Sequence, residues 1–282
     1  MAKYVPDVKT QRWVIIAPAR TKRPDDAIAP ITGAQVCAFC EGNEALTPPE
    51  VYRIGTGEKD KKGWQVRVVP NKYAITDTHE VIIHSTSHTD DLEHLPVDQV
   101  TRVFTSYRDR YRAHENDGQV IIFCNHGFHA GASLTHPHSQ LVVVPKQINF
   151  DSLSREPFTN IVEETPVFIT YCPEFSQWPY ETWIAPKNQG TKFGDIQDGE
   201  LPEFARIVQT ALQKLEKIYV ASTIKPKDRS DNVFVYNYYI YHGQNWFIRI
   251  IPRFIHRAGF ELGTGLNVNV VDPVEAAKEL SS

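Results

Sequence analysis

The sequence predicts an α+β fold in which antiparallel strands form one face and helices the other. Three observations carry that prediction. Strand-like runs such as "HEVIIHS" and "GQVIIFCNHG" flank "LPVDQVTRVFTSYRDRYRAHE", where Val100, Val103, Phe104 and Tyr107 recur at helical spacing. The order strand, helix, hairpin then repeats from "YETWIAPK" through "ELPEFARIVQTALQKLEKIY" and "DNVFVYNYYIYHG" to "NWFIRIIPRF". Within that repeat "HEVIIH" matches "YETWIA", Asn125 matches Asn237, and Pro145 matches Pro252. With 282 residues, 41% of them hydrophobic, the chain can bury a core large enough for two closely packed halves. We place these halves at 1–158 and 159–282, with "QINFDSLSREPFTNIVEETP" as the junction.

The elements follow in order. "QRWVIIAP" reads as a strand and "ARTKRPDD" as a basic loop, while the prolines and polar residues of "CAFCEGNEALTPPE" argue for irregular structure. "GWQVRVVPNKYA" and "HEVIIHS" are strands that lead into the first helix. After the strand "GQVIIFCNHG" comes "HAGASLTHPHSQLVVVP", which sets two histidines and a glutamine at the mouth of an unbroken aliphatic run.

Composition narrows the function. A formal charge of −4 supplies no basic field for duplex nucleic acid, so nucleic acid is discounted as a partner. No apolar stretch approaches the roughly 20 residues of a spanning helix, and the start "MAKYVPDVKTQRWVII" lacks a signal-peptide layout. A cytoplasmic protein without membrane partners is expected. Four cysteines are too few for a disulfide scaffold, and only Cys37 and Cys40 form a close pair.

Residues two apart in a strand share a face, so an extended segment starting by His136 lines up His136, His138 and Gln140. Pro137 suits a strand start, where its missing N–H costs nothing. Upstream, Asn125, Ser133 and the small residues of "HAGAS" let a ligand approach the main chain. The set makes a polar pocket of anion size. A neutral imidazole, with an unperturbed pKa near roughly 6.5, is a competent nucleophile toward phosphorus without a helper base. His138 is therefore the candidate for a covalent nucleotidyl group. Gln140 can donate to a phosphoryl oxygen as charge moves but cannot supply a proton. That favours leaving groups that are already stable anions, such as a sugar phosphate, and weighs against hydrolysis. Cys37 and Cys40, spaced C-x-x-C, can clip a tetrahedral zinc with His88 and His136 as candidate partners. Such a closed site would be structural, order the "CAFCEGNEALTPPE" loop and fix His136 beside the nucleophile. Arg20 and Arg23, in "PARTKRP", offer planar forks suited to phosphate, although basic loop residues are often merely solvated.

These residues resemble the galactose-1-phosphate uridylyltransferase family of the histidine-triad superfamily. "WVIIAPARTKRP", "CAFC", "VRVVPNKYA", "HSTSHTDDLEHLP", "NHGFHAGASLTHPHSQ" and "QWPYETWIAPK" fall in the family's order, nearly end to end. The resemblance implies two fused histidine-triad-like units. It implies His138 as the nucleophile, its ring oriented by the backbone carbonyl of His136. It implies phosphate contacts from Gln140, Ser133 and Asn125, diphosphate contacts from Arg20 and Arg23, and a nucleoside contact from Asn71. Cys37, Cys40, His88 and His136 match the structural zinc ligands. The implied reaction is ping-pong transfer of a nucleoside monophosphate, UMP by the family pattern, between a nucleotide sugar and a hexose 1-phosphate. The implied assembly is a homodimer. Two departures stand out: "NWFIRIIPRF" lacks the histidines of the family's second metal site, which is expected to be absent although His242 remains. "AGFELGTGLNVN" lacks the acidic and glutamine residues that hold the hexose and looks more like the branch that includes ADP-glucose phosphorylases. The rival readings are therefore an ADP-glucose or dinucleoside polyphosphate phosphorylase, and a zinc-stabilised nucleotide-binding protein without turnover.

Overall fold

The computed structural model describes residues 2–7, 12–22, 36–148, 150, 153–224 and 233–282. Arg23 lies outside the described residues. The chain divides into two compact units: 1–122 with 133–152, and 123–132 with 153–282.

In the first unit, β1 (Lys3–Pro6) and β2 (Trp13–Ile16) form an antiparallel pair. The larger sheet uses β3 (Tyr52–Gly55), β4 (Trp64–Pro70), β5 (Thr78–Ile83), β6 (Gln119–His126, of which 123–126 count with the second unit) and β7 (His138–Val144), in the order β3-β4-β5-β7-β6. Helix α1 (Val97–His114) connects β5 to β6 and packs on β3, β4 and β5. Its predicted apolar stripe, Val100, Val103, Phe104 and Tyr107, is fully buried. Asp98 in the first turn and Arg112 and His114 in the last suit the helix dipole.

The second unit repeats the plan. Strands β8 (Ile161–Glu164), β9 (Phe168–Tyr171) and β10 (Thr182–Pro186) precede helix α2 (Leu201–Ala221), which is followed by β11 (Tyr236–Ile240) and β12 (Ile248–Pro252). Their order is β8-β9-β10-β12-β11, the same topology as in the first unit, and the described pairs within both are antiparallel. Helix α2 packs on β9 and β10 through a face that buries Phe204, Val208, Leu212 and Leu215. Trp183 and Phe247 stack at 4.0 Å between centroids. Two short helices, α3 (Gly259–Thr264) and α4 (Pro273–Ser281), close the chain, and α4 rests against β8 and α2.

The α+β duplication is thus present, with three corrections of detail. The extended run expected to continue to Ala74 stops at Pro70, because the Asn71 side chain accepts the Tyr73 N–H (2.8 Å) and turns the chain. β3, β8 and β9 carry only four residues each, too short for periodicity to declare them, and β8 falls within the expected junction. β7 begins at His138, so His136 stands just before the strand. Pro137 has no N–H for the ladder, although its carbonyl still accepts the His84 N–H (3.2 Å).

The irregular segment before β3 is tied to the sheet by Arg67 on β4. This guanidinium, 1% exposed, pairs with Glu50 (2.7 Å) and Asp60 (2.9 Å) and donates to Thr47 Oγ1 (2.9 Å). Trp64 Nε1 donates to Glu44 in the same segment (2.9 Å). Replacing Arg67 by Met leaves the buried Glu50 carboxylate with only Arg53 (3.3 Å) among the described residues and removes the link to Asp60 and Thr47; breaking such a buried pair costs about 3–5 kcal/mol. Urea denaturation of Arg67→Met should show a loss of that size; a change under about 1 kcal/mol would mean that the pair does not hold the segment.

Candidate active site

Strand β7 sets the site. Its period of two turns His138 and Gln140 to one face, where they stand opposite Ile83 and Val81 of β5. The intervening Ser139 faces the other way, its Oγ 3.1 Å from His84 Nε2, which also meets the Tyr107 hydroxyl of α1 at 3.0 Å. β7 is thereby clamped to α1. His138 Nδ1 lies 2.9 Å from the carbonyl oxygen of His136. A carbonyl only accepts, so Nδ1 carries the proton and the ring's lone pair is on Nε2. Phe39 packs its ring edge-on against the His138 imidazole, with centroids 5.3 Å apart.

The Gln140 carboxamide is also oriented. Its Oε1 accepts from His79 Nε2 (2.9 Å) and from Asn71 Nδ2 (3.4 Å). His138, Gln140, Asn71 and Ser133 line one cavity of about 530 Å³, with Val36, Phe39, Leu46, Pro48, Val69 and Val81 as its apolar wall. A volume and mixed lining of this kind suit a small organic ligand with polar groups.

Beside it, Cys37, Cys40, His88 and His136 bring four donor atoms within 4.8 Å of one another, a cluster that could hold a metal ion. Cys40 Sγ is 3.3 Å from His88 Nδ1 and 3.6 Å from His136 Nδ1, and Cys37 Sγ is 3.8 Å from His136 Nδ1. Tetrahedral zinc bonds of about 2.3 Å to sulfur and 2.1 Å to nitrogen would set such atoms about 3.6 Å apart. His136 Nε2 donates to the Ser85 carbonyl (3.0 Å), which leaves the Nδ1 lone pair toward the thiols, as a ligand requires. Burial pushes the His136 pKa down to about 4, helped by neighbouring His88 and opposed by the Ser85 carbonyl, so the ring is neutral. Burial raises the Cys37 thiol to about 11, with Cys40 adding to the shift; a bound cation would reverse that, since it favours the thiolate. The donor set therefore fits a thiophilic divalent ion.

Two other expected contact residues have protein partners. Arg20 is held by donation to the Tyr73 carbonyl (2.9 Å), and Tyr73 lines the cavity. Asn125 belongs to the second unit, where its Oδ1 accepts from Asn237 Nδ2 (2.9 Å), which also donates to the Ala130 carbonyl (2.9 Å). The two asparagines matched by the repeat thus touch. Sequence reasoning did not single out His79 or Ser85; the only local signal was the run "HEVIIHS" that carries both.

The doubled unit, with His-Pro-His-Ser-Gln leading into β7, has the fold of solved uridylyltransferase structures, which superpose with TM-scores of 0.75 and 0.74 at 19% identity. Residues 71–145 match the family model described as galactose-1-phosphate uridyl transferase, N-terminal domain. The chain is 27% identical over 327 residues to a protein named ADP-glucose phosphorylase from Arabidopsis thaliana, covering 96% of this chain and 90% of that one. It is 26% identical over 311 residues to a galactose-1-phosphate uridylyltransferase of Thermotoga maritima, covering 96% and 95%. The crystal structure of the Arabidopsis thaliana ADP-glucose phosphorylase with bound ADP-glucose superposes with a TM-score of 0.73 at 24% identity, covering 100% of this chain and 99% of that one. Among the described residues, no helix is long and apolar enough to cross a membrane.

Two measurements check the metal cluster. Elemental analysis should find one thiophilic divalent ion per chain in the wild type and none in Cys40→Ser; an equal content in both would remove the cluster from consideration. In metal-free protein His136 titrates near 4 when folded, against an unperturbed value near 6.5. The unfolded chain therefore takes up the proton first, and stability falls as pH drops from 6.5 toward 4. Thermal melts across that window should show the decline in the wild type and a weaker one in His136→Gln.

Proposed function

We propose that the chain is a nucleotidylyltransferase that passes a nucleoside monophosphate through a covalent nucleotidyl-His138. The observation that carries this reading is the hydrogen bond from His138 Nδ1–H to the His136 carbonyl, which puts the lone pair on Nε2. Nε2 attacks the α-phosphorus of a nucleotide sugar, an N–P bond forms, and the P–O bond to the sugar phosphate breaks. The leaving oxygen takes the electron pair and departs as a stable anion, so no acid is needed. The ring becomes an imidazolium whose positive charge the His136 carbonyl stabilises through the same bond. An oxygen of the acceptor then attacks phosphorus, the N–P bond breaks, and neutral His138 is regained. Gln140 donates to a phosphoryl oxygen at both steps, with Ser133 and Asn125 as further phosphate contacts. Arg20 and Arg23 serve the diphosphate and Asn71 the nucleoside.

The first reading of the substrates is UMP transfer between a nucleotide sugar and a hexose 1-phosphate, as in galactose metabolism. A second, adenylyl transfer from ADP-glucose to phosphate, is favoured by the relative of that name, which aligns over 96% of this chain. Cys37, Cys40, His88 and His136 would hold a structural zinc. When bound, that ion supplies a closed clip for the loop before β3 and for His136, with no part in bond making. A cytoplasmic enzyme working as a homodimer is the proposed form.

Intact-mass spectrometry after exposure to UDP-glucose or ADP-glucose tests the reading. An adduct of uridylyl or adenylyl mass is expected from one donor and not from His138→Ala; no adduct across both donors would overturn covalent transfer. Gln140→Ala should lower kcat by about 10²–10³-fold, the usual loss for one such donor. An unchanged kcat in steady-state assays would remove Gln140 from the phosphoryl contacts.

A further inference from the structure

We infer that His79 is a positioning residue that fixes which end of the Gln140 carboxamide meets the phosphoryl group. The inference rests on the nucleotidyl-transfer reading above. An amide side chain has an acceptor end and a donor end of nearly equal shape, so its orientation is decided by its partners. His79 itself is decided first. The backbone N–H of Ile75 donates to His79 Nδ1 (3.0 Å), so Nδ1 is the acceptor and the ring proton is on Nε2. That Nε2–H donates to Gln140 Oε1 at 2.9 Å, with both residues 5% exposed or less.

Asn71 reinforces the choice. Its Oδ1 is taken by the Tyr73 N–H, so Nδ2 is the end that faces His79 and Gln140. Nδ2 lies 3.1 Å from His79 Nε2 and 3.4 Å from Gln140 Oε1. Two N–H groups converge there, and only the Gln140 oxygen can accept from both. The Gln140 NH₂ is therefore left for the ligand side, where it can donate to a phosphoryl oxygen. Turned over, the carboxamide would set its oxygen against an anion and its NH₂ against two donors. The strand register makes the contact possible. His79 stands opposite Val142 and Val81 opposite Gln140, so His79 and Gln140 are diagonal neighbours on one sheet face. The pair thus conveys the backbone hydrogen bonds of the 71–75 turn to the reacting phosphate.

The test compares replacements of similar length and opposite hydrogen-bonding sense. In His79→Gln an amide N–H can still reach Gln140 Oε1; in His79→Glu a carboxylate can only accept and would turn the Gln140 carboxamide over. The rate of adduct formation in single turnover should stay within about threefold of wild type in His79→Gln and fall by about tenfold or more in His79→Ala and His79→Glu. Nucleotide-sugar affinity and melting temperature should change far less across the series. In a Gln140→Ala background, His79→Ala should cause no further loss, because both changes remove the same donor. Equal damage from His79→Gln and His79→Glu, or losses that multiply in the double variant, would overturn the inference. Absence of any adduct in the wild type would instead refute the transfer reading. Orientation is then still decided by the Gln140 side-chain amide resonances, identified by their loss in Gln140→Ala. Those resonances should match between wild type and His79→Gln and shift in His79→Glu; no shift would overturn the inference independently.

Discussion

The bond between His138 Nδ1–H and the His136 carbonyl is the constraint on which the rest of the site depends. It selects one tautomer of a buried imidazole, and the unprotonated nitrogen follows from it. The acceptor is only two residues away, so the bond needs His136 to be immobile. Its ring is held at both nitrogens: Nε2 donates to Ser85, and Nδ1 faces Cys37 and Cys40. A cation in that cluster would stiffen the carbonyl that orients His138, the proposed nucleophile. Pro137 between them stiffens the link further by fixing its own φ.

A second set of fixed groups serves Gln140, and the two sets share β7. Behind that strand, Ser139 and His84 tie it to α1; before it, Arg67 and Trp64 hold the segment that forms part of the cavity wall. His138, Gln140 and Asn71 are thus oriented before any ligand arrives. Such preorganisation is the main means by which a protein stabilises charge that moves during phosphoryl transfer.

The duplication shows how much of this belongs to the fold and how much to the site. Both units share one strand order, yet β12, which takes the place of β7, reads "IRIIP" and is wholly buried. Its Arg249 turns to Glu181 (2.7 Å) within an aromatic cluster that includes Trp183 and Tyr239. The topology is kept without imidazole or carboxamide on that strand, so the fold by itself does not make the site. That division explains what was legible in the sequence. The helical stripe of α1, the repeat and the His-Pro-His-Ser-Gln segment are local patterns, and C-x-x-C is a spacing within one turn. His79 was not legible, because its role arises from the register of β5 against β7 and from a backbone N–H four residues away. The tautomer of His138 and the pairing of Asn125 with Asn237 likewise depend on which atoms the fold brings together. The short strands β3, β8 and β9 escaped notice because a period of two needs more residues to be distinguished from a loop.

The measurement that bears most directly on this account is the tautomer of His138 in the resting protein. Nitrogen-15 NMR of the imidazole, assigned by its loss in His138→Ala, should show a protonated Nδ1 and an unprotonated Nε2 near neutral pH. A ring protonated at Nε2, with its lone pair on Nδ1, would contradict the His136 hydrogen bond and with it the assignment of His138 as the nucleophile.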